Sequence, residues 1–220
     1  MAISKFTGTD ATGFASWLNS NKAGTFLEGC TITDGEPITI TKGDSIFSYR
    51  HDNVYSQTGK ISFTNGKTSI EKKCETGNAK LNVYLVWLCT NGLLLRFWEW
   101  RQTQSTSWYG DSGSVILYCN SNNKLSAIVR GGKYGETQPD YYYIIDGDSP
   151  IQTKIEFAND NTADKTVLIN PNYITEAGGI ALPHIYLAAQ SNYAGVDLIL
   201  SHSTMNDIDY ITNGAWFIED

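Results

Sequence analysis

Leu81-Asn82-Val83-Tyr84-Leu85-Val86-Trp87-Leu88-Cys89-Thr90, then Asn91-Gly92, then Leu93-Leu94-Leu95-Arg96-Phe97-Trp98-Glu99-Trp100-Arg101 decides the fold class. Its two arms are rich in Val, Tyr, Trp and Phe, residues that suit a pleated, half-buried surface. Asn-Gly between them is the strongest short-range hairpin signal, because both residues tolerate positive φ and match the twist of paired strands.

The same device recurs on either side. Ile61 and Phe63 lead into Asn65-Gly66, with Thr68 and Ile70 beyond; Asp209–Thr212 leads into Asn213-Gly214, with Ala215–Glu219 beyond. Three further arguments for hairpins come from alternation. Ile38 and Ile40 alternate with Thr39 and Thr41, Val115–Cys119 and Leu125–Arg130 flank Asn120-Ser121-Asn122-Asn123, and Tyr141–Ile145 and Ile151–Phe157 flank Asp146-Gly147. Thr-Asn-Gly occurs at 64, 90 and 212, but the flanking sequences do not align, so it is repeated turn chemistry and not an internal repeat. Many short strands punctuated by turns predict a mainly β protein, an antiparallel sandwich or barrel built from hairpins.

One segment breaks the pattern. Phe14, Trp17 and Leu18 fall on one helical face, with Asp10 as N-cap and stop signals from Asn19 to Gly24. A single short N-terminal helix is expected there, and its apolar face must be covered by the β body or by a neighbouring subunit. These three residues are the interface candidates. The organisation expected is an N-terminal segment 1–29, a main antiparallel domain 30–157, and a C-terminal β-rich segment 158–220 joined through the polar stretch 158–165.

Composition narrows the function. A 220-residue chain with 41% hydrophobic and 18% charged residues is that of a folded protein. A net charge of −7 with scattered Lys and Arg argues against nucleic acid as a partner. No run approaches the roughly 20 apolar residues of a membrane helix, and Met1–Gly8 lacks the apolar core of a signal peptide. Synthesis in a cytoplasm and no membrane association are therefore expected. Cys30, Cys74, Cys89 and Cys119 contain no Cys-x-x-Cys pair, so they are expected as free thiols, with Cys89 and Cys119 in strands.

Gly110-Asp111-Ser112-Gly113-Ser114 resembles the nucleophile loop of chymotrypsin-like serine peptidases. That family places a His and then an Asp ahead of the Ser. Here only His51 precedes Ser112, within Tyr49-Arg50-His51-Asp52, and His184 and His202 follow it. Gly, Asp and Ser are also ordinary turn residues, and a turn is the expectation. Asp160, Asn161 and Asp164 lack the glycine and closing Glu of a calcium loop, and Asp146 and Asp148 flank a turn; solvated polar loops are expected at both. No metal, cofactor or catalytic set is expected.

Aromatics are the remaining signal, with 13 Tyr and 6 Trp. Trp98 and Trp100 alternate with Glu99, so on a strand the two rings share a face and the carboxylate takes the other. They read as core or subunit interface, or as a ligand platform. Trp108 and Tyr109 sit in a Ser/Thr/Gln/Gly-rich stretch read as a loop, where rings can stack on sugars or anchor an interface.

In overall texture, an acidic β-rich chain with abundant Asn, Thr, Ser, Gly and Tyr, the sequence is similar to bacteriophage virion proteins such as tail, baseplate, head-decoration or appendage subunits. The resemblance implies a homo-oligomer that meets other virion proteins and resides in the virion. A carbohydrate- or receptor-binding module is the alternative expectation, and a hydrolase using Ser112 the third.

Overall fold

The computed structural model describes residues 3–8, 13–52, 58–74, 81–102, 108–131, 141–148, 152–156, 168–169, 172–175, 178–188, 201–205, 207–212 and 216–220. The chain is mainly β and antiparallel, as the hairpin signals predict, and its described helix is short.

Strand β1 (Ser4–Gly8) comes first, where a helix-bearing segment alone is expected from the sequence. Helix α1 (Phe14–Asn21) follows. Its N-cap is Gly13, at φ 76, and no side chain caps it. The expected cap, Asp10, lies outside the described residues. Without a cap, the helix is held by its apolar face, as short helices generally are. Phe14 and Leu18 are buried within the chain's own core, and Trp17 is half-buried. The β body thus covers two of the three interface candidates. Phe6 of β1 lies 5.4 Å from Phe14 and 5.5 Å from Trp17 by ring centroid, which pins the helix to the strand.

Strands β2 (Thr31–Thr33), β3 (Ile38–Lys42), β4 (Ser45–Asp52), β5 (Thr58–Thr64) and β6 (Ser69–Cys74) form a five-stranded meander. Ile32, Ile38, Ile40, Phe47, Tyr49, Ile61 and Phe63 fill its inner face. Asn65 N donates to Thr68 O, so the tight turn centres on Gly66 and Lys67, one residue beyond the Asn-Gly expectation. Gly66 carries the positive φ, 81°.

Strands β7 (Leu81–Leu88), β8 (Gly92–Gln102), β9 (Trp108–Cys119), β10 (Leu125–Gly131), β11 (Tyr141–Ile145) and β12 (Gln152–Glu156) build a second meander, and β1 pairs with β7 to complete seven strands. Here Cys89 N donates to Gly92 O, and the turn residues are Thr90 and Asn91. Gly92 has an ordinary φ; its missing Cβ matters for space instead. A Cβ there would come 2.8 Å from Ile218 Cγ2 and 3.2 Å from Leu117 O. Cys89 falls just past β7 and not within a strand, whereas Cys119 ends β9 as expected.

Beyond these come β13 (Leu168–Ile169), the pair β14 (Asn172–Thr175) and β15 (Gly178–Ala181), then β16 (Ile185–Ala188), β17 (Ser201–Met205), β18 (Ile208–Thr212) and β19 (Trp216–Glu219). Leu182-Pro183-His184 separates β15 from β16. A C-terminal sheet has the order β13-β16-β19-β18-β17.

The seven-stranded sheet is the middle of three layers. Leu93, Leu95, Val115, Leu117, Ala127, Val129 and Ile145 share a core with α1 and the five-stranded sheet. Their alternate neighbours Leu94, Ile116, Tyr118, Ile128 and Ile144 share a second core with Leu182, Ile185, Ile211, Trp216 and Ile218. The registers explain the layering: Leu94↔Ile116, Ile116↔Ile128 and Ile128↔Ile144 form one apolar rung, and Leu93↔Leu117, Leu117↔Ala127 and Ala127↔Ile145 the rung on the other face. A strand buried on both faces needs apolar side chains at every position, which accounts for Leu93–Leu95 and Val115–Tyr118. Residues 158–220 therefore contribute strands that pack on the main body.

Candidate functional surface

The outward face of the C-terminal sheet follows from the same alternation. Ile185, Ile211, Trp216 and Ile218 point into the second core, so Tyr186, Tyr210, Thr212, Phe217 and Glu219 occupy the opposite face. Registers Tyr186↔Phe217, Thr212↔Phe217 and Tyr210↔Glu219 bring them together from three strands. Tyr186 and Tyr210 meet edge to face at 5.9 Å, as do Tyr210 and Phe217 at 6.2 Å, the arrangement that ring quadrupoles favour.

A polar group stands on this aromatic bed. The Tyr186 hydroxyl donates to Glu219 Oε2 at 2.8 Å, and His184 Nδ1 lies 3.8 Å from the same oxygen. Donation to a carboxylate, aided by burial and by the Glu219 charge, pushes the Tyr186 hydroxyl up to about 12. Burial and then the Glu219 charge raise Tyr210 as well. His184 holds φ 59, an uncommon conformation for a residue with a side chain. Its carbonyl accepts from Glu219 N at 2.9 Å, which fixes the turn against β19. Carboxylate, phenol and imidazole thus converge over two buried rings, Tyr210 and Phe217, with His184 exposed and Tyr186 and Glu219 half-buried.

None of these residues stands out in the sequence, because they are scattered singly over 184–219. Those that do stand out have other placements. Trp108 and Tyr109 begin strand β9 and are not in a loop. Register pairs Gln102 with Trp108 and Arg101 with Tyr109, so positions 98, 100 and 108 belong to one face of the sheet and 109 to the other. The side chains of Trp98, Trp100, Trp108 and Tyr109 lie outside the described residues. Gly110–Ser114 likewise runs as extended strand, paired with Arg96–Trp100, where a turn is expected from its composition. Extended backbone alternates its N–H groups and offers no converging pair beside Ser112. His51 belongs to β4 of the other meander.

The Asp146/Asp148 turn is a clasp, where a solvated loop is expected. Asn120 Nδ2 donates to Asp146 Oδ1 at 3.0 Å and to Asp148 Oδ2 at 3.0 Å, and Asn122 Nδ2 donates to Asp148 Oδ2 at 2.8 Å. Those donors hold the Asp148 carboxyl below its ordinary value, the Asn122 bond contributing most. Asn65 Nδ2 reaches Asp146 O at 2.7 Å, tying the β5–β6 turn to the central sheet. A second clasp closes the opposite interface: Asp220 Oδ1 accepts from Thr90 N at 2.8 Å and Thr90 Oγ1 at 2.9 Å, and Asn91 Nδ2 donates to Glu219 O at 2.9 Å.

Among the described residues, no three His, Cys, Asp or Glu side chains are grouped to hold a metal ion, and no helix is long and apolar enough to cross a membrane. Cys30, Cys89 and Cys119 are free thiols. No protein-family model, curated protein or solved structure matches the chain.

Proposed function

We propose that the chain is a non-enzymatic structural or assembly subunit of a bacteriophage particle, residing in the virion and associating with copies of itself and with other virion proteins. The observation that carries this reading is the use made of the polar side chains. Asn65, Asn120, Asn122, Asp146 and Asp148 lock turns of two layers together, and Thr90, Asn91 and Asp220 lock turn to strand across the next interface. Clasped layers around two cores resist shear, a property that suits a load-bearing subunit. The composition supports the same reading.

Within this proposal the contact between copies falls on Trp17. It is the one interface candidate that stays partly exposed, and it is backed by Phe6 and Phe14. The test is the mass in solution by light scattering at two concentrations. A stable trimer, hexamer or larger ring that dissociates in Trp17→Ser is the expected result; a strict monomer at both concentrations counts against it.

A second reading, recognition of a glycan or receptor, is favoured by the polar set of half-buried Tyr186 and Glu219 beside exposed His184, backed by the buried Tyr210 and Phe217 rings. Binding to a glycan array that is lost in Tyr186→Ala, with thermal stability retained, would support it; binding unchanged in that variant would assign recognition elsewhere, with Trp98, Trp100, Trp108 and Tyr109 the next positions to test.

A further inference from the structure

Lys42 ends β3 in the five-stranded sheet, and Cys119 ends β9 in the central one. Their side chains meet across the layer boundary. Lys42 Nζ lies 3.3 Å from Cys119 Sγ, 3.3 Å from Phe26 O and 2.6 Å from Asn123 Oδ1. Cys119 Sγ in turn lies 3.5 Å from Phe26 O. The two oxygen contacts, to Phe26 O and Asn123 Oδ1, thus hold the ammonium beside the sulfur. Cys119 and Lys42 are partly exposed, whereas Cys30, whose thiol shares the electrostatic field of both, is buried.

We propose that Lys42 and Cys119 form a reversible, oxidation-dependent sulfenamide cross-link between two layers of the fold, with a peroxide as the oxidant. The Cys119 sulfur attacks the peroxide; an S–O bond forms, the O–O bond breaks, and the departing hydroxide takes the thiol proton as water. The sulfur is thereby oxidised by two electrons to the sulfenic acid and the peroxide is reduced. Lys42, after releasing its extra proton to solvent, attacks that sulfur as the neutral amine. An S–N bond forms, the S–O bond breaks, and hydroxide leaves as water with the second amine proton. The chain loses two hydrogens overall. A thiol reductant returns the hydrogens and restores both side chains.

Placement favours the amine over other captors. The nitrogen already touches the sulfur, and sulfenic acids condense with nearby nitrogen or thiol groups. Burial opposes the Cys119 thiolate and Lys42 partly offsets it, so the first step accelerates with rising pH.

The test treats the full chain with hydrogen peroxide and reads it by intact mass and peptide mapping. The expected result is a loss of two hydrogens, a Lys42–Cys119 linked peptide resistant to trypsin at Lys42, and reversal by dithiothreitol. Cys30→Ser keeps the link. Lys42→Arg, which retains the charge, loses it and accumulates sulfinic and sulfonic acid at Cys119. A two-hydrogen loss that survives Lys42→Arg and disappears in Cys30→Ser would mean a disulfide and overturn the proposal. Equal over-oxidation of Cys119 in wild type and Lys42→Arg would overturn it too.

Discussion

Gly92→Ala is the sharpest probe of the three-layer arrangement. Its φ is one that alanine adopts, so the backbone does not object, and restricting the unfolded chain should stabilise by about 0.4–1 kcal/mol. The space does object. The new Cβ would sit 2.8 Å from Ile218 Cγ2, 3.1 Å from Ile218 Cδ1 and 3.2 Å from Leu117 O. Overpacking of this kind costs roughly 1–3 kcal/mol, which leaves a net effect between about zero and a loss of about 2.6 kcal/mol. Two of the three close atoms belong to one side chain, so a double-mutant cycle separates clash from conformation. Ile218→Ala alone, at a fully buried position, should cost about 2–5 kcal/mol. In the double variant the added methyl group occupies part of the vacated space, and the two losses should fall short of additive by about 1–2 kcal/mol. Urea unfolding followed by tryptophan fluorescence measures all four corners. Additivity within about 0.5 kcal/mol, or a stabilised Gly92→Ala, would refute the contact between the β7–β8 turn and β19.

Three other outcomes follow from the same geometry. Leu94→Ala and Leu95→Ala point to opposite faces yet should each cost about 2–5 kcal/mol, and a near-neutral result for either would mean an uncovered face. The Tyr186 hydroxyl, raised to about 12 by Glu219, is neutral in its favoured form, so its contribution to stability is complete below the ordinary tyrosine range near 10 and is lost as pH rises through about 12; spectrophotometric titration should show a late component that Tyr186→Phe reduces by one tyrosine, the buried Tyr118 remaining late. Alkylation of the native protein should modify Cys119 first, Cys30 later and Cys89 last, because burial raises Cys30 to about 11 and Cys89 to about 12; a Cys89 that reacts with Cys119 would contradict the packing at the β7–β8 turn.

The hairpins were legible because alternation and turn chemistry are local. The two Asn-Gly turns at 65–66 and 91–92 fall within one residue of their expected centres, and the third, at 213–214, joins the paired strands β18 and β19 but itself lies outside the described residues. Strands β1 and β17 were not legible: Ser-Lys-Phe-Thr-Gly and Ser-His-Ser-Thr-Met carry little apolar periodicity and owe their pairing to neighbours already in place. The third layer was half legible. Leu93-Leu94-Leu95 and Val115-Ile116-Leu117-Tyr118 announce burial on both faces, but nothing local says which distant segment supplies the cover. The same limit hides the candidate surface. Tyr186, Tyr210, Phe217 and Glu219 become neighbours only through the strand order of the C-terminal sheet. Gly110–Ser114 misled for the converse reason: turn-forming residues were carried into a long strand by the register of β8 and β9.

The central sheet is complete once β12 has been synthesised, and its first core can close against strands already made. Its second face cannot. Leu94, Ile116, Ile128 and Ile144 wait for Trp216 and Ile218, which lie on β19, the middle strand of the covering sheet. At about 5–20 residues per second, a ribosome leaves that oily face bare for several seconds on every chain it makes. Crowded polysomes would therefore be the most dangerous place for this protein, and a cell producing it in bulk would need either a chaperone that shields the face or a rate of supply low enough that nascent sheets seldom meet.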